Sequence, residues 1–243
     1  MRLTIEPTAE VISIEGEPDP VRDYGTAHIR PDCLPVPPAM AGRPVERRGY
    51  PVPWFATWTA EGWDLRVVRP ERAAEAVRRT VCWVSGQPLG RYRAFVIGPM
   101  CTINRVSADP PTTRDIALWS ARVCPFLSRP LAVRNSRGLA EMSIDPEAQR
   151  GGMLTRNPGV VAVWVTDRYR VGTRGTDRGL FFLGDPAAEV AWFTEGRPAS
   201  RAEVEAAITT GLPALRAAVE PDGPEALAEL ARLTEAARAW LPV

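Results

Sequence analysis

The sequence predicts an α+β protein in which an antiparallel sheet is followed by C-terminal helices, and three observations predict it. Short apolar and aromatic runs punctuated by Gly, Pro and Asp recur over 54–97 and again over 160–194, the signature of strands joined by turns. Between 200 and 240 the punctuation changes to helix-start signals followed by apolar positions at helical spacing. Cys82-Trp83-Val84-Ser85-Gly86 has the outline of a zinc knuckle, a tight turn that aims two thiolates at one ion, with serine in place of the second thiolate.

Taken in order, residues 1–45 read as an extended arm. Val11-Ile12-Ser13-Ile14 suits a short strand, and Pro18, Pro20, Pro31, Pro35, Pro37, Pro38 and Pro44 then forbid helix and favour extended chain. Such an arm lies on its own domain or on a neighbouring subunit, and is expected to be dispensable for folding. From 46 to 133 the sequence predicts an α+β segment. Trp54–Trp58 and Trp63–Val68 are strands around the turn Ala60-Glu61-Gly62, and Pro70-Glu71-Arg72 opens a helix to about Arg79, with proline and acid where a helix start favours them. Tyr92–Ile97 is a short strand broken by Gly98-Pro99, and Asp115–Val123 is a helix that Pro125 ends. Residues 134–243 form the rest, packed with the preceding segment as one unit. Arg134–Arg156 is polar and glycine-bearing and reads as a long loop or lid. Val160–Val165, almost continuously apolar, is a central strand, with Leu180–Leu183 and Glu189–Phe193 as the next two strands of a meander. Ser200-Arg-Ala-Glu203 is a capping box opening a helix to about Gly211. Pro213 starts the next helix and Pro224 a last one to about Trp240, whose Leu227, Leu230, Leu233 and Ala237 are core positions.

Composition excludes more than it identifies. The 243 residues are 45% hydrophobic and 24% charged, ordinary for a globular chain, with a formal charge of +1. That balance gives no global electrostatic reason to expect nucleic acid or an anionic membrane as partner. All 30 basic residues are arginine. With abundant Ala, Gly and Pro this reflects a high-GC coding bias, the alternative being arginines arranged to grip phosphates or carboxylates. No apolar h-region follows Met1-Arg2-Leu3-Thr4-Ile5-Glu6, and no run reaches the roughly 18 apolar residues that span a bilayer. A cytoplasmic protein is expected, with Cys33, Cys82, Cys101 and Cys124 as reduced thiols. There is no Gly-x-Ser-x-Gly elbow, P-loop, dinucleotide fingerprint or His-Glu-x-x-His.

Several longer words stand out: Arg48-Gly49-Tyr50-Pro51-Val52-Pro53-Trp54-Phe55, Cys82-Trp83-Val84, Leu89-Gly90-Arg91-Tyr92, Ala94-Phe95-Val96-Ile97-Gly98-Pro99-Met100-Cys101, Asn104-Arg105, Pro110-Pro111 and Cys124-Pro125-Phe126-Leu127. Asn157-Pro158-Gly159-Val160 and Glu195-Gly196-Arg197-Pro198-Ala199 follow. On these words, over residues 46–242, the chain resembles a family of bacterial and phage-encoded proteins that brings no established activity. The family pattern carries cysteine where this chain has Ser85, and a His-x-x-Cys pair where it has Thr113 and Ile116. The resemblance therefore implies a degenerate treble-clef-like segment in which Cys82 is a vestigial ligand position and metal is not expected, since one thiolate cannot hold a structural zinc. A rescue site through Cys82, Cys101 and Cys124 is conceivable, but nothing in their spacing demands it.

The best active-site candidate is Cys101, Asn104 and Arg105, on what reads as a tight loop after a strand. The thiol would be nucleophile, the amide an oxyanion donor and the guanidinium an anion clamp. The missing part is a base, because the single histidine, His28, lies in the arm. The plainer reading is a buried cysteine beside a capping Asn and an ion-paired Arg. Arg91, Tyr92, Arg114 and Cys124 are candidate binding residues. Aromatic residues Tyr50, Trp54, Phe55, Trp58 and Trp63 build a core face or, alternatively, stack a flat ligand. The reading favoured is a non-catalytic interaction or scaffold protein derived from a zinc-binding ancestor, without cofactor. Its partner would be a protein or small molecule, with no membrane, and the arm could bridge an oligomer. A small-molecule enzyme and, more weakly, a nucleic-acid-binding protein are the alternatives.

Overall fold

Hairpin chemistry opens the globular part. In the computed structural model, which describes residues 29–59, 62–129, 158–175, 178–186 and 188–243, β1 (Ala56–Thr59) pairs antiparallel with β2 (Gly62–Val68). Trp58 faces Trp63 across the pair, their rings edge to face at 5.1 Å. Helix α1 (Pro70–Arg79) starts on proline with Glu71 in its first turn and ends with Arg78 and Arg79, each charge placed favourably on the helix dipole. Then come β3 (Arg93–Ile97), α2 (Pro99–Asn104), β4 (Val106–Ser107) and α3 (Arg114–Val123). Strands β5 (Val161–Thr166), β6 (Tyr169–Val171), β7 (Phe181–Leu183), β8 (Glu189–Thr194) and β9 (Arg197–Pro198) follow. Two helices close the chain: α4 (Arg201–Val219) and α5 (Pro224–Ala237).

Strand β5 organises the molecule. All six of its residues are buried, and it lies inside a four-stranded antiparallel sheet of order β3-β5-β8-β9. Side chains alternate across a strand, so β5 serves two cores. Ala162 and Trp164 join Phe95, Ile97 and Trp192 in a cluster with Phe181 and Leu183 of β7 and Val204 of α4. Val161, Val163 and Val165 join Ala94 and Phe193 against Ala117 and Ala121 of α3. Being covered on both faces explains why β5 reads as a continuous apolar run rather than an alternating one. The buried indoles are satisfied: Trp164 Nε1 donates to the Gly184 carbonyl at 3.0 Å and Trp192 Nε1 to that of Trp240 at 2.8 Å.

The fold is α+β as expected, and four details differ from the sequence reading. The meander over 160–194 does not form: β5 pairs directly with β8, while β6 and β7 join β4 in a separate three-stranded sheet of order β4-β7-β6. Local pattern identifies strands but not partners. Helix α4 does not stop near Gly211, and Pro213 lies inside it. Its Ile208, Leu212, Leu215 and Val219 pack around Ile103 and Leu230, and that tertiary burial outweighs the backbone bond a proline removes. Gly211 is small for a reason, since a Cβ there would sit 3.0 Å from Met100 Cε. Gly98-Pro99 opens a short helix, α2, rather than a tight loop, because Gly98 serves as N-cap and Pro99 as first helical residue.

The fourth difference concerns the arm. The described part, 29–45, is not a detachable extension: Cys33, Met40 and Val45 are buried, and the prolines are used in 3-10 turns at Pro31–Cys33 and Pro38–Met40. Trp119 Nε1 of α3 donates to the Cys33 carbonyl at 2.8 Å, and Arg30 N to that of Gly49 at 3.0 Å. Its dispensability is therefore not expected for 29–45, where loss would expose a core face. The Val11–Ile14 strand, His28 and the 134–156 loop fall outside the described residues.

Candidate functional site

The Cys82 turn is closed by main-chain hydrogen bonds. Val81 bridges Pro88, Cys82 N donates to the Gln87 carbonyl at 2.8 Å, and Leu89 N donates to that of Thr80 at 3.0 Å. Gly86 N donates to the Cys82 carbonyl at 2.7 Å with φ +76°, a conformation that favours glycine. A side chain at 86 has no room either, because a Cβ would lie 2.9 Å from Trp54 Cδ1. The Ser85 amide donates to Cys82 Sγ at 3.3 Å. The lead-in to α3 is tied to this turn by Trp83 N on the Pro111 carbonyl at 3.3 Å and to β3 by reciprocal 2.8 Å bonds between Ala94 and Thr112. Thr113 is the N-cap of α3 and Ile116 is in its first turn.

The positions that would hold zinc do not fit it. Cys82 Sγ lies 2.9 Å from Thr112 Oγ1, so its hydrogen bonding is met by a hydroxyl. Ser85 Oγ turns to accept the Gln87 amide at 3.3 Å. Ile116, 0% exposed, fills the centre with Cys33, Met40, Tyr50, Cys82, Val84 and Trp119. Among the described residues no group of three or more His, Cys, Asp or Glu is placed to hold a metal, and the conceivable Cys82–Cys101–Cys124 site is not assembled.

The second candidate divides. Cys101 is half-buried on α2 against the Phe95–Trp164 cluster. Burial, with a smaller contribution from the Asp109 charge, pushes its thiol up. Asn104 ends α2, and Arg105 caps it in the left-handed conformation at φ 55°. The Arg105 guanidinium pairs with Asp185 at 2.5 Å, while its carbonyl accepts Leu183 N at 2.7 Å. Arg105 thus fastens α2 to the β7 strand and the loop after it, and its main-chain N–H donates to the Cys101 carbonyl as a helix-cap bond.

The remaining candidates are split between the ends of the sheet. Arg91 lies over the exposed Tyr92 ring at 5.4 Å, just before β3, and Arg114 Nε holds Glu189 at 2.6 Å where β8 begins. Cys124 caps the far end of α3. Burial pushes its thiol up, against the opposing effect of the Leu127 and Phe126 amides.

One grouping was not legible in the spacing. Arg72 lays its guanidinium on the Trp54 ring, 4.4 Å from the centroid, and Arg43 Nε donates to the Val52 carbonyl at 3.0 Å. Arg72 meets Trp54, and Arg43 meets Val52, only because the chain folds back on itself, so no local signal could have found these contacts.

No protein-family model matches the chain, and no curated protein or solved structure is significantly similar to it. Among the described residues no helix is long and apolar enough to cross a membrane.

Proposed function

We propose that this chain is a non-catalytic interaction module on a degenerate treble-clef scaffold, cytoplasmic and related to the bacterial and phage-encoded proteins that share its words. The observation that carries the reading is the replacement at Ile116: the position of a ligand is a fully buried branched side chain packed on Cys82, Met40 and Trp119. Apolar burial stabilises the junction of knuckle and helix, which in a metal-bearing relative the ion would hold. The enzyme alternative has less support. The Cys101 thiol is shifted away from thiolate, the form that attacks, and the Arg105 charge is taken up by Asp185.

The test is native-state labelling of Cys101 with a thiol reagent, resolved by peptide mass mapping. The interaction reading expects Cys101 to react only as the protein unfolds, and Cys101→Ala to lower stability alone. Fast labelling of folded protein, suppressed by a small anionic metabolite, would restore the enzyme.

A further inference from the structure

The three-stranded sheet β4-β7-β6 has a core face and an outer face. Tyr169 and Val171 of β6 and Phe181 and Leu183 of β7 pack in the Trp164 cluster. Alternation along each strand puts Arg170 and Phe182 on the opposite face. They lie in one cross-strand row, Val106 opposite Phe182 and Phe182 opposite Arg170. The outer face of an antiparallel sheet is commonly polar, yet here the central strand presents a phenylalanine. Phe182 and Val106 are half-buried, and neither packs on any buried apolar cluster among the described residues. The exposed Arg170 lays its guanidinium over the Phe182 ring, 4.0 Å from the centroid.

This face is positive although the chain as a whole is balanced. From 167 to 179 the sequence carries Arg168, Arg170, Arg174 and Arg178 against Asp167 and Asp177. Asp167 is already shared, by Arg168 at 3.4 Å and Arg91 at 4.0 Å. Asp185, just after β7, is held by Arg105 at 2.5 Å. Among the described residues Arg170 and Arg174 have no carboxylate within ion-pair distance. Backbone bonds extend the hairpin beyond its strands, with Gly184 N on the Arg168 carbonyl at 2.9 Å and Gly172 N on that of Leu180 at 2.8 Å. By the same alternation Arg168 shares the face of Arg170.

We propose that the outer face of this sheet binds single-stranded nucleic acid, a base stacking on the Arg170–Phe182 pair and the adjoining phosphates meeting Arg168 and Arg174. An aromatic ring and a guanidinium plane both accept an unpaired base, and unpaired arginines beside them complement a polyanion. A protein strand or helix would have use for the apolar row but not for the uncompensated charge. None of these residues belongs to the cluster around Cys82 and Ile116, so this proposal and the metal-free reading of that cluster can fail independently.

The test is fluorescence anisotropy of a labelled, mixed-sequence single strand of about 16 nucleotides, the upper site size for one such surface, titrated with the full chain. The strand is run as RNA and as DNA, and the tighter of the two identifies the sugar that is read. Phe182→Leu, checked for native circular dichroism, should bind about tenfold more weakly, the loss of one stacked base. Phe182→Tyr, which keeps the ring, should bind like wild type. Between about 50 and 200 mM salt, Arg174→Gln should lower the slope of log affinity against log salt by about 0.7, one phosphate contact, while Phe182→Leu leaves the slope unchanged. Arg47→Gln, the same charge change in the exposed turn before Tyr50, should match wild type. A duplex of the same sequence, with its bases stacked inside, should bind more weakly than the single strand. Wild-type affinity in Phe182→Leu, or a duplex bound as tightly as the single strand, would overturn the proposal in favour of charge attraction alone. No binding of either strand would overturn it too, and would point to a protein as what covers this face.

Discussion

Replacing Ile116 by alanine should be among the most damaging single changes in the protein. Ile116 is 0% exposed and sits between Cys33, Met40, Cys82 and Trp119. The substitution removes three carbons, about 2.4 kcal/mol of transfer free energy at roughly 0.8 kcal/mol per buried carbon. A cavity remains as well, because Trp119 is pinned by its bond to the Cys33 carbonyl at 2.8 Å and cannot collapse inward. Isoleucine-to-alanine changes in cores span about 2–5 kcal/mol, and a site walled by pinned side chains belongs in the upper half, at about 4 kcal/mol. For a domain of this size that lowers Tm by about 8–16 °C. Urea unfolding followed by tryptophan fluorescence measures it directly, with Ile116→Val as reference, expected to lose about 1 kcal/mol. The loss should be the same with and without chelator. A cost below about 1 kcal/mol for Ile116→Ala would refute the reasoning, since the junction of knuckle and helix would then be held by something other than this side chain.

Two further outcomes follow from the same cluster. Gly86→Ala should cost about 2–4 kcal/mol, a left-handed residue with a Cβ plus overpacking against Trp54, and should move the fluorescence maximum of the folded state. Stability should fall in alkali: burial raises the Cys33 thiol to about 11 from 9.0, so its contribution is complete below pH 9.0 and is lost as pH rises to about 11. Cys33→Ala, melted across that range, should show a shallower alkaline decline than wild type.

Much of the secondary structure was legible because its signals are local. The Ser200–Glu203 capping box forms as written, with Glu203 N on Ser200 Oγ at 3.4 Å and Ser200 N on Glu203 Oε2 at 2.8 Å. Pro70 and Pro224 open helices where their fixed φ allows it. What escaped was everything decided by distant partners. Leu180–Leu183 and Glu189–Phe193 read as neighbours yet belong to different sheets, since a short turn between two strands does not oblige them to pair. Pro213 reads as a boundary but is carried through by packing around Ile103. The proline-dense arm reads as detachable, but its buried Cys33 and Met40 fill the space beside Ile116. At the candidate site, the sequence singled out the Cys82 turn and named Ser85, Thr113 and Ile116 as departures from the pattern it resembles. It placed Cys101 and Arg105 together in function because they are close along the chain, whereas the left-handed cap at Arg105 directs that residue to Asp185.

The central claim is that apolar packing, not a metal, holds the knuckle against α3. Zinc content and thermal unfolding, measured on protein produced in zinc-supplemented medium with and without chelator, test it most directly. The triple variant Ser85→Cys, Thr113→His, Ile116→Cys, which returns ligand types to the departed positions, serves as the comparison. The account predicts no stoichiometric zinc in the wild type and the same Tm after chelation, with zinc retained by the triple variant alone. Stoichiometric zinc in the wild type, lost to chelator together with cooperative unfolding, would contradict it.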